Sequence, residues 1–91
     1  MIHSFADKDT YDFFHGTICK RFESFASVAR RKLTMLDNAA TLEFLRSPPA
    51  NRLESLKGDR AGQYSIRIND RYRICFRWDS GAHDVEIVDY H

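Results

Sequence analysis

Tyr64-Ser-Ile-Arg-Ile-Asn-Asp-Arg-Tyr-Arg-Ile-Cys-Phe-Arg-Trp78 alternates apolar and polar residues with one short break. Tyr64, Ile66 and Ile68 form one apolar set, and Tyr72, Ile74, Phe76 and Trp78 form another, each at period two. A strand sends successive side chains to opposite faces, so this period predicts two strands, each with one buried face. Asn69 and Asp70 between them suit a tight turn because both tolerate positive φ, which makes the pair a hairpin. Asp79-Ser-Gly-Ala82 supplies a second turn, after which Val85 and Ile87 alternate with Glu86, Val88 and Tyr90. The C-terminal half therefore reads as a three-stranded antiparallel meander.

Upstream the period lengthens. Residues 2–5 lean apolar and predict a short strand, followed by a short helix that Asp7 caps and Gly16 ends. Between 22 and 36, Phe22, Phe25, Ala29, Leu33 and Leu36 recur at helical spacing with Arg30, Arg31 and Lys32 opposite, an amphipathic helix. A further helical turn fits at 41–45, before Ser47-Pro48-Pro49 makes a stiff crossing. Helices followed by a meander predict an α+β sandwich: two to three helices cover the apolar face of an antiparallel C-terminal sheet, and the N-terminal strand joins an edge.

The 91 residues suit one domain, residues 1–91, with 43% hydrophobic and 30% charged residues, which argues against a disordered or membrane class. No apolar run approaches the ~20 residues that span a bilayer. The N-terminus lacks a charged-then-apolar leader pattern, and Cys19 and Cys75 lie far apart, so a cytoplasmic protein with reduced thiols is expected. His3, His15, His83 and His91 show no metal-ligand spacing, and the four glycines make no phosphate-cradling loop. The expectation is a protein with no metal and no cofactor.

Charge is unevenly placed. Residues 46–77 carry eight bases against three acids, a net +5, and leave −4 on the rest of a chain whose total is +1. Seven of the eight bases are arginines, whose planar fork suits bidentate phosphate recognition. If Tyr72, Ile74, Phe76 and Trp78 face the helices, parity turns Arg71, Arg73 and Arg77 outward, with Arg67 and Tyr90 on the same side. With the loop Lys57-Gly-Asp-Arg60, this cationic face and its rim phenol suit capture of single-stranded RNA through Arg60, Arg67, Arg71 and Arg77. An ordinary solvated sheet face has the same pattern.

The run from Asn51-Arg52-Leu-Glu-Ser-Leu-Lys-Gly-Asp-Arg60 through Tyr72-Arg-Ile-Cys-Phe76, with the ending Val85-Glu-Ile-Val-Asp-Tyr-His91, resembles the HigB-type killer-protein branch of the RelE/ParE toxin superfamily. The Met-Ile-x-Ser-Phe opening and the Leu-Arg-Ser-Pro-Pro crossing extend the resemblance over the whole chain. It implies a RelE-like sandwich and the toxin of a bacterial type II toxin–antitoxin module. The implied partners are a small helix-turn-helix antitoxin of the HigA type, which also binds operator DNA, and the ribosome with its mRNA. The implied activity is endoribonucleolytic cleavage of mRNA in the ribosomal A site. Two alternatives stay open: a ParE-like inhibitor of DNA gyrase, and a ribosome- or RNA-binding inhibitor that does not cut.

Metal-independent RNA cleavage drives the 2′-hydroxyl onto the adjacent phosphorus and needs a base, cations around the phosphorane and an acid for the 5′-oxygen. By resemblance, Arg73 is the first candidate for the phosphate, Lys57 the second, with Arg67 supporting. Tyr90 matches the family's C-terminal tyrosine, suited to stacking or activation. His91 suits general acid or base work, and Asp89 could orient it. Some HigB-type toxins carry a histidine where this chain has Glu54; a glutamate beside Lys57 and Arg52 is a weaker base. Each of these side chains also has a structural reading, as a surface ion pair, an edge tyrosine or a frayed terminus.

Overall fold

The alternation along the C-terminal half produces the sheet that organises the molecule, and a computed structural model describes it with the rest of residues 1–90. Four strands, β1 (Glu54–Ser55), β2 (Tyr64–Arg67), β3 (Tyr72–Trp78) and β4 (Ala82–Asp89), lie side by side in chain order, every pair antiparallel. Ile66 pairs with Ile74 and Ile74 with Ile87, while Tyr64 pairs with Phe76, so the apolar sets of neighbouring strands share one face. That face is covered by α1 (Lys8–Phe14) and α2 (Ala26–Asn38), whose Phe13, Ala29, Leu33 and Leu36 are buried with Ile66, Ile74, Phe76, Val85 and Ile87. Each large apolar side chain withdrawn from water there contributes on the order of 1.5–3 kcal/mol. The fold is the expected α+β arrangement.

The local signals act largely as expected. The Asp7 carboxylate accepts a hydrogen bond from the Thr10 amide, 3.3 Å, and caps α1, and Gly16 takes φ +105° just beyond the helix. The Thr10 hydroxyl accepts a hydrogen bond from the Ile87 amide at 3.1 Å, fixing α1 to β4. Residues 2–5 run parallel to β4 through isolated bridges, Ile2 with Ala82 and Phe5 with Val85, and so occupy the expected edge without forming a regular strand.

Four details differ from the sequence reading. The predicted helix over 22–36 is divided: residues Lys20–Phe25 form a 3-10 segment and α2 begins at Ala26. Lys32, expected on the solvent side of that helix, is 7% exposed and donates to Asn51 Oδ1. The turn at Asn69-Asp70 uses no positive φ; the Asn69 side-chain oxygen accepts from the amides of Arg71 and Tyr72, both at 2.8 Å, and replaces a backbone turn. The sheet also gains β1, two residues that no alternation announces.

The outer face is only partly wet. Ser65 and Cys75, paired across β2 and β3, are fully buried there. The loop after β1 folds back over this face, with Arg60 reaching Glu86 on β4 at 3.3 Å. Burial pushes the Cys75 thiol up from its ordinary value, Arg60 pulls it down and Glu86 adds to the rise. Among the described residues no helix is long and apolar enough to cross a membrane.

Candidate active site

Register brings the basic residues of the outer face into rungs. Arg67 on β2 pairs with Arg73 on β3, and Arg73 with Val88 on β4; the next rung holds Glu54, Ser65, Cys75 and Glu86. Two arginines opposite one another repel unless other groups hold them. Arg73 is held firmly. Its Nε donates to the Ser65 hydroxyl at 2.7 Å, its Nη2 donates to the Arg52 carbonyl at 2.7 Å, and its side chain is 11% exposed. Glu54 Oε1 lies 3.8 Å from the same Nη2. A guanidinium has five N–H groups, so two strong bonds fix its plane and leave donors for an incoming phosphate.

The Arg52 carbonyl reaches Arg73 because residue 52 takes the left-handed conformation, φ 47° and ψ 54°, immediately after the 3-10 segment Pro49–Asn51. An L-residue there costs about 1–2 kcal/mol relative to the right-handed region, so neighbouring contacts must hold it.

The positive field expected of residues 46–77 is largely neutralised in place. Arg60 meets Glu86, Arg67 meets Asp70, Arg71 meets Asp89, Arg73 meets Glu54 and Arg77 meets Asp84. Asp84, Glu86 and Asp89 come from β4, outside the basic window, and antiparallel pairing delivers them to the arginines of β3 and the loop. A bulge helps: β3–β4 register shifts between Cys75 and Arg77, with Asp84 at φ 52°, and Arg77 Nε donates to Asp84 at 2.7 Å. Within the window, Arg52 and Lys57 alone have no carboxylate within 4 Å among the described residues. The Arg71 and Arg77 pairs are exposed, so they contribute little and can be exchanged for a phosphate at small cost.

The predicted site residues divide into groups. Arg73, Arg67 and Glu54 occupy adjacent rungs. Tyr90, 41% exposed, stands at the same end of the sheet, its amide donating to the Arg71 carbonyl at 2.7 Å. Asp89 was expected to orient His91, but His91 lies outside the described residues; Asp89 takes a bidentate grip from Arg71, 2.9 Å from Nε and 2.7 Å from Nη2, which raises the Arg71 pKa. Lys57 is exposed and follows Leu56, whose amide donates to the Gln63 carbonyl at 2.8 Å and continues the β1–β2 pairing. Among the described residues no contact joins Lys57 to Arg73. Sequence reasoning missed Ser65, Asn51 and the Arg52 carbonyl; of these only Ser65 carried a signal, its place in the polar set of β2.

A cavity of about 530 Å³ lies elsewhere, between residues 2–5 and α1, and is lined by His3, Phe5, Lys8, Tyr11 and His15. It includes none of the arginines. Among the described residues no three His, Cys, Asp or Glu side chains stand together as metal ligands.

Residues 3–91 match the family of HigB-like toxins, described as the RelE-like toxin of the type II toxin–antitoxin system HigB. The chain is 44% identical over 61 residues to Toxin HigB-1 of Vibrio cholerae serotype O1, a match covering 67% of this chain and 64% of that toxin. It thus spans just under two thirds of that relative's length. An uncharacterized protein of Haemophilus influenzae is 34% identical over 89 residues, 96% of this chain and 88% of its own. Among solved structures, the YoeB-YefM complex from Staphylococcus aureus contains a similar chain, with a TM-score of 0.61, 18% identity and coverage of 100% and 98%. The YoeB/ParE toxin from Agrobacterium tumefaciens is similar with a TM-score of 0.52, 23% identity and coverage of 99% and 96%. These two likenesses concern the fold.

Proposed function

Because the chain belongs to the HigB-like family, the RelE-like toxins of type II toxin–antitoxin systems, we propose that it is an endoribonuclease that cuts mRNA on the ribosome. The observation that carries the reading is the fixed Arg73 guanidinium, braced by Ser65 and Arg52, one rung from Glu54 and opposite Arg67. A preorganised donor aimed at developing charge is the largest single contribution an active site makes. In the proposed step the 2′-hydroxyl loses its proton to a base and attacks the adjacent phosphorus. The bond to the 5′-oxygen breaks, leaving a 2′,3′-cyclic phosphate and a protonated 5′-hydroxyl.

Arg73 stabilises the phosphorane, and Arg67 supports it once a phosphate displaces Asp70. Glu54, whose carboxylate lies 3.8 Å from Arg73, is the candidate base. Tyr90 at the rim stacks on a nucleotide or transfers a proton, and His91 is the candidate acid. Lys57 is the second candidate for the phosphate, after Arg73. Arg60, Arg71 and Arg77 contribute by exchanging carboxylates for RNA or ribosome phosphates.

The proposed partners are the ribosome with its mRNA and a helix-turn-helix antitoxin of the HigA type, through which operator DNA is reached. The similar chain solved together with YefM supports an antitoxin partner. The proposed compartment is the cytoplasm, where translation occurs.

In a reconstituted translation system, the protein should cut a defined mRNA inside its reading frame and leave the same RNA largely intact when ribosomes are omitted, since the ribosome supplies part of the positioning. Equal cutting with and without ribosomes, or none in either, overturns the reading.

A further inference from the structure

Lys32 is the least expected residue in the structure. Its amine is withdrawn from water, no carboxylate lies within 4 Å among the described residues, and it donates a hydrogen bond to the neutral Asn51 Oδ1. Burial, Arg31 and Arg67 all lower its pKa. A lysine in such a place is retained at a cost, and the stem alone would pack as well without the charge. Asn51, itself fully buried, is held on its other side too, with Nδ2 donating to the carbonyls of Leu45 at 3.1 Å and Ser47 at 3.5 Å. The next residue is Arg52, left-handed, whose carbonyl receives Arg73. The contacts run unbroken from Lys32 through Asn51 and Arg52 to Arg73.

We propose that Lys32 and Asn51 are positioning residues that hold Arg52 in its left-handed conformation so that its carbonyl fixes the Arg73 guanidinium. This rests on the nuclease reading above. The Asn51 side chain is clamped from both ends, so the peptide that follows cannot rotate freely. Released, residue 52 relaxes to the extended or right-handed region, its carbonyl turns away, and Arg73 keeps only Ser65 and the weaker pull of Glu54. The guanidinium plane then swings, and misplacement on the order of 1 Å in an active site costs as much as ~10²-fold in rate.

The test uses the full chain with programmed ribosomes. Lys32→Met keeps the stem and removes the donor. It should slow single-turnover cleavage at saturating ribosome by about tenfold to a hundredfold. Ribosome affinity should stay within about twofold, because no RNA contact is lost. The Arg73 Nε–H resonance should shift in the free protein, and Lys32→Arg, which restores a donor, should recover most of the rate. A folded Lys32→Met protein with wild-type rate and an unmoved resonance overturns the proposal, as does a loss confined to affinity.

Should Lys32→Met not fold, exposed position 52 decides. Arg52→Asn and Arg52→Val lose the same cation, but asparagine adopts the left-handed region and a β-branched residue resists it. The valine variant should cut at least about tenfold more slowly than the asparagine variant; equal rates overturn the proposal. Wild-type protein that does not cut contradicts the nuclease reading instead, and the resonance comparison still tests the positioning.

Discussion

Replacing Arg73 by alanine should damage the protein in two separable ways. From sequence parity alone the side chain points to solvent and its loss should leave the fold intact. The structure changes that expectation: Arg73 is 11% exposed and its Nε serves the hydroxyl of fully buried Ser65. Removing it leaves that hydroxyl without its donor, which costs about 1–3 kcal/mol. The Glu54 contact at 3.8 Å adds little, because Glu54 is more than half exposed. A domain of 60–100 residues loses roughly 4–8 °C in Tm per kcal/mol, so Arg73→Ala should melt on the order of 10 °C lower while remaining folded at 25 °C. Cleavage should fall at least ~10²-fold, the scale of one lost transition-state donor.

Thermal melts followed by circular dichroism give the first number, and single-turnover cleavage at 25 °C gives the second. Ser65→Ala calibrates the pair: it should reproduce part of the Tm loss with a much smaller effect on rate. An unchanged Tm in Arg73→Ala would refute the bracing geometry. A folded Arg73→Ala protein that cuts at the wild-type rate would remove Arg73 from the active site.

Other expected outcomes follow from the same contacts. Arg71→Ala and Arg77→Ala, which break exposed ion pairs, should leave urea midpoints nearly unchanged, while ribosome binding loses some of its salt dependence in filter-binding assays. A chain ending at Asp89 forfeits the Tyr90 amide bond and should still fold and bind its antitoxin, yet lose toxicity; Tyr90→Phe keeps part of the activity if the ring stacks, and loses most of it if the hydroxyl transfers a proton. Thiol alkylation of the native protein should label partly exposed Cys19 first and buried Cys75 only on unfolding. The raised Cys75 pKa contributes stability that is complete below about pH 9 and declines as pH rises toward its folded value, whereas the lowered Lys32 pKa penalises the fold at neutral pH and that penalty fades toward pH 10.5. Urea titrations of Cys75→Ala and Lys32→Met against wild type at pH 7 and pH 10 should show these opposite trends.

The meander was legible because period-two alternation and a buried face are the same fact, seen first in Ile66, Ile74 and Phe76 and then in their register. Asp7 and Gly16 were legible because capping is local. What escaped the sequence depends on partners distant along the chain. Three carboxylates of β4 sit outside the basic window, so a window sum could not show that pairing brings them to Arg60, Arg71 and Arg77. Lys32 fits the polar side of a helical wheel, yet the crossing that carries Asn51 covers it. The two residues of β1 are too few for any period, and they deliver Glu54 beside Arg73. The residue types of the candidate site could be proposed from the sequence; their bracing could not.

Cleavage of mRNA during translation is tested most directly by mapping RNA 5′ ends across the transcriptome minutes after brief expression in bacteria, with Arg73→Ala at matched protein level as control. The wild-type protein should produce abundant new ends inside translated reading frames and few in untranslated RNA, and the variant should lose nearly all of them. Intact transcripts in growth-arrested cells, above all with gyrase-linked breaks accumulating in the DNA, would contradict the account.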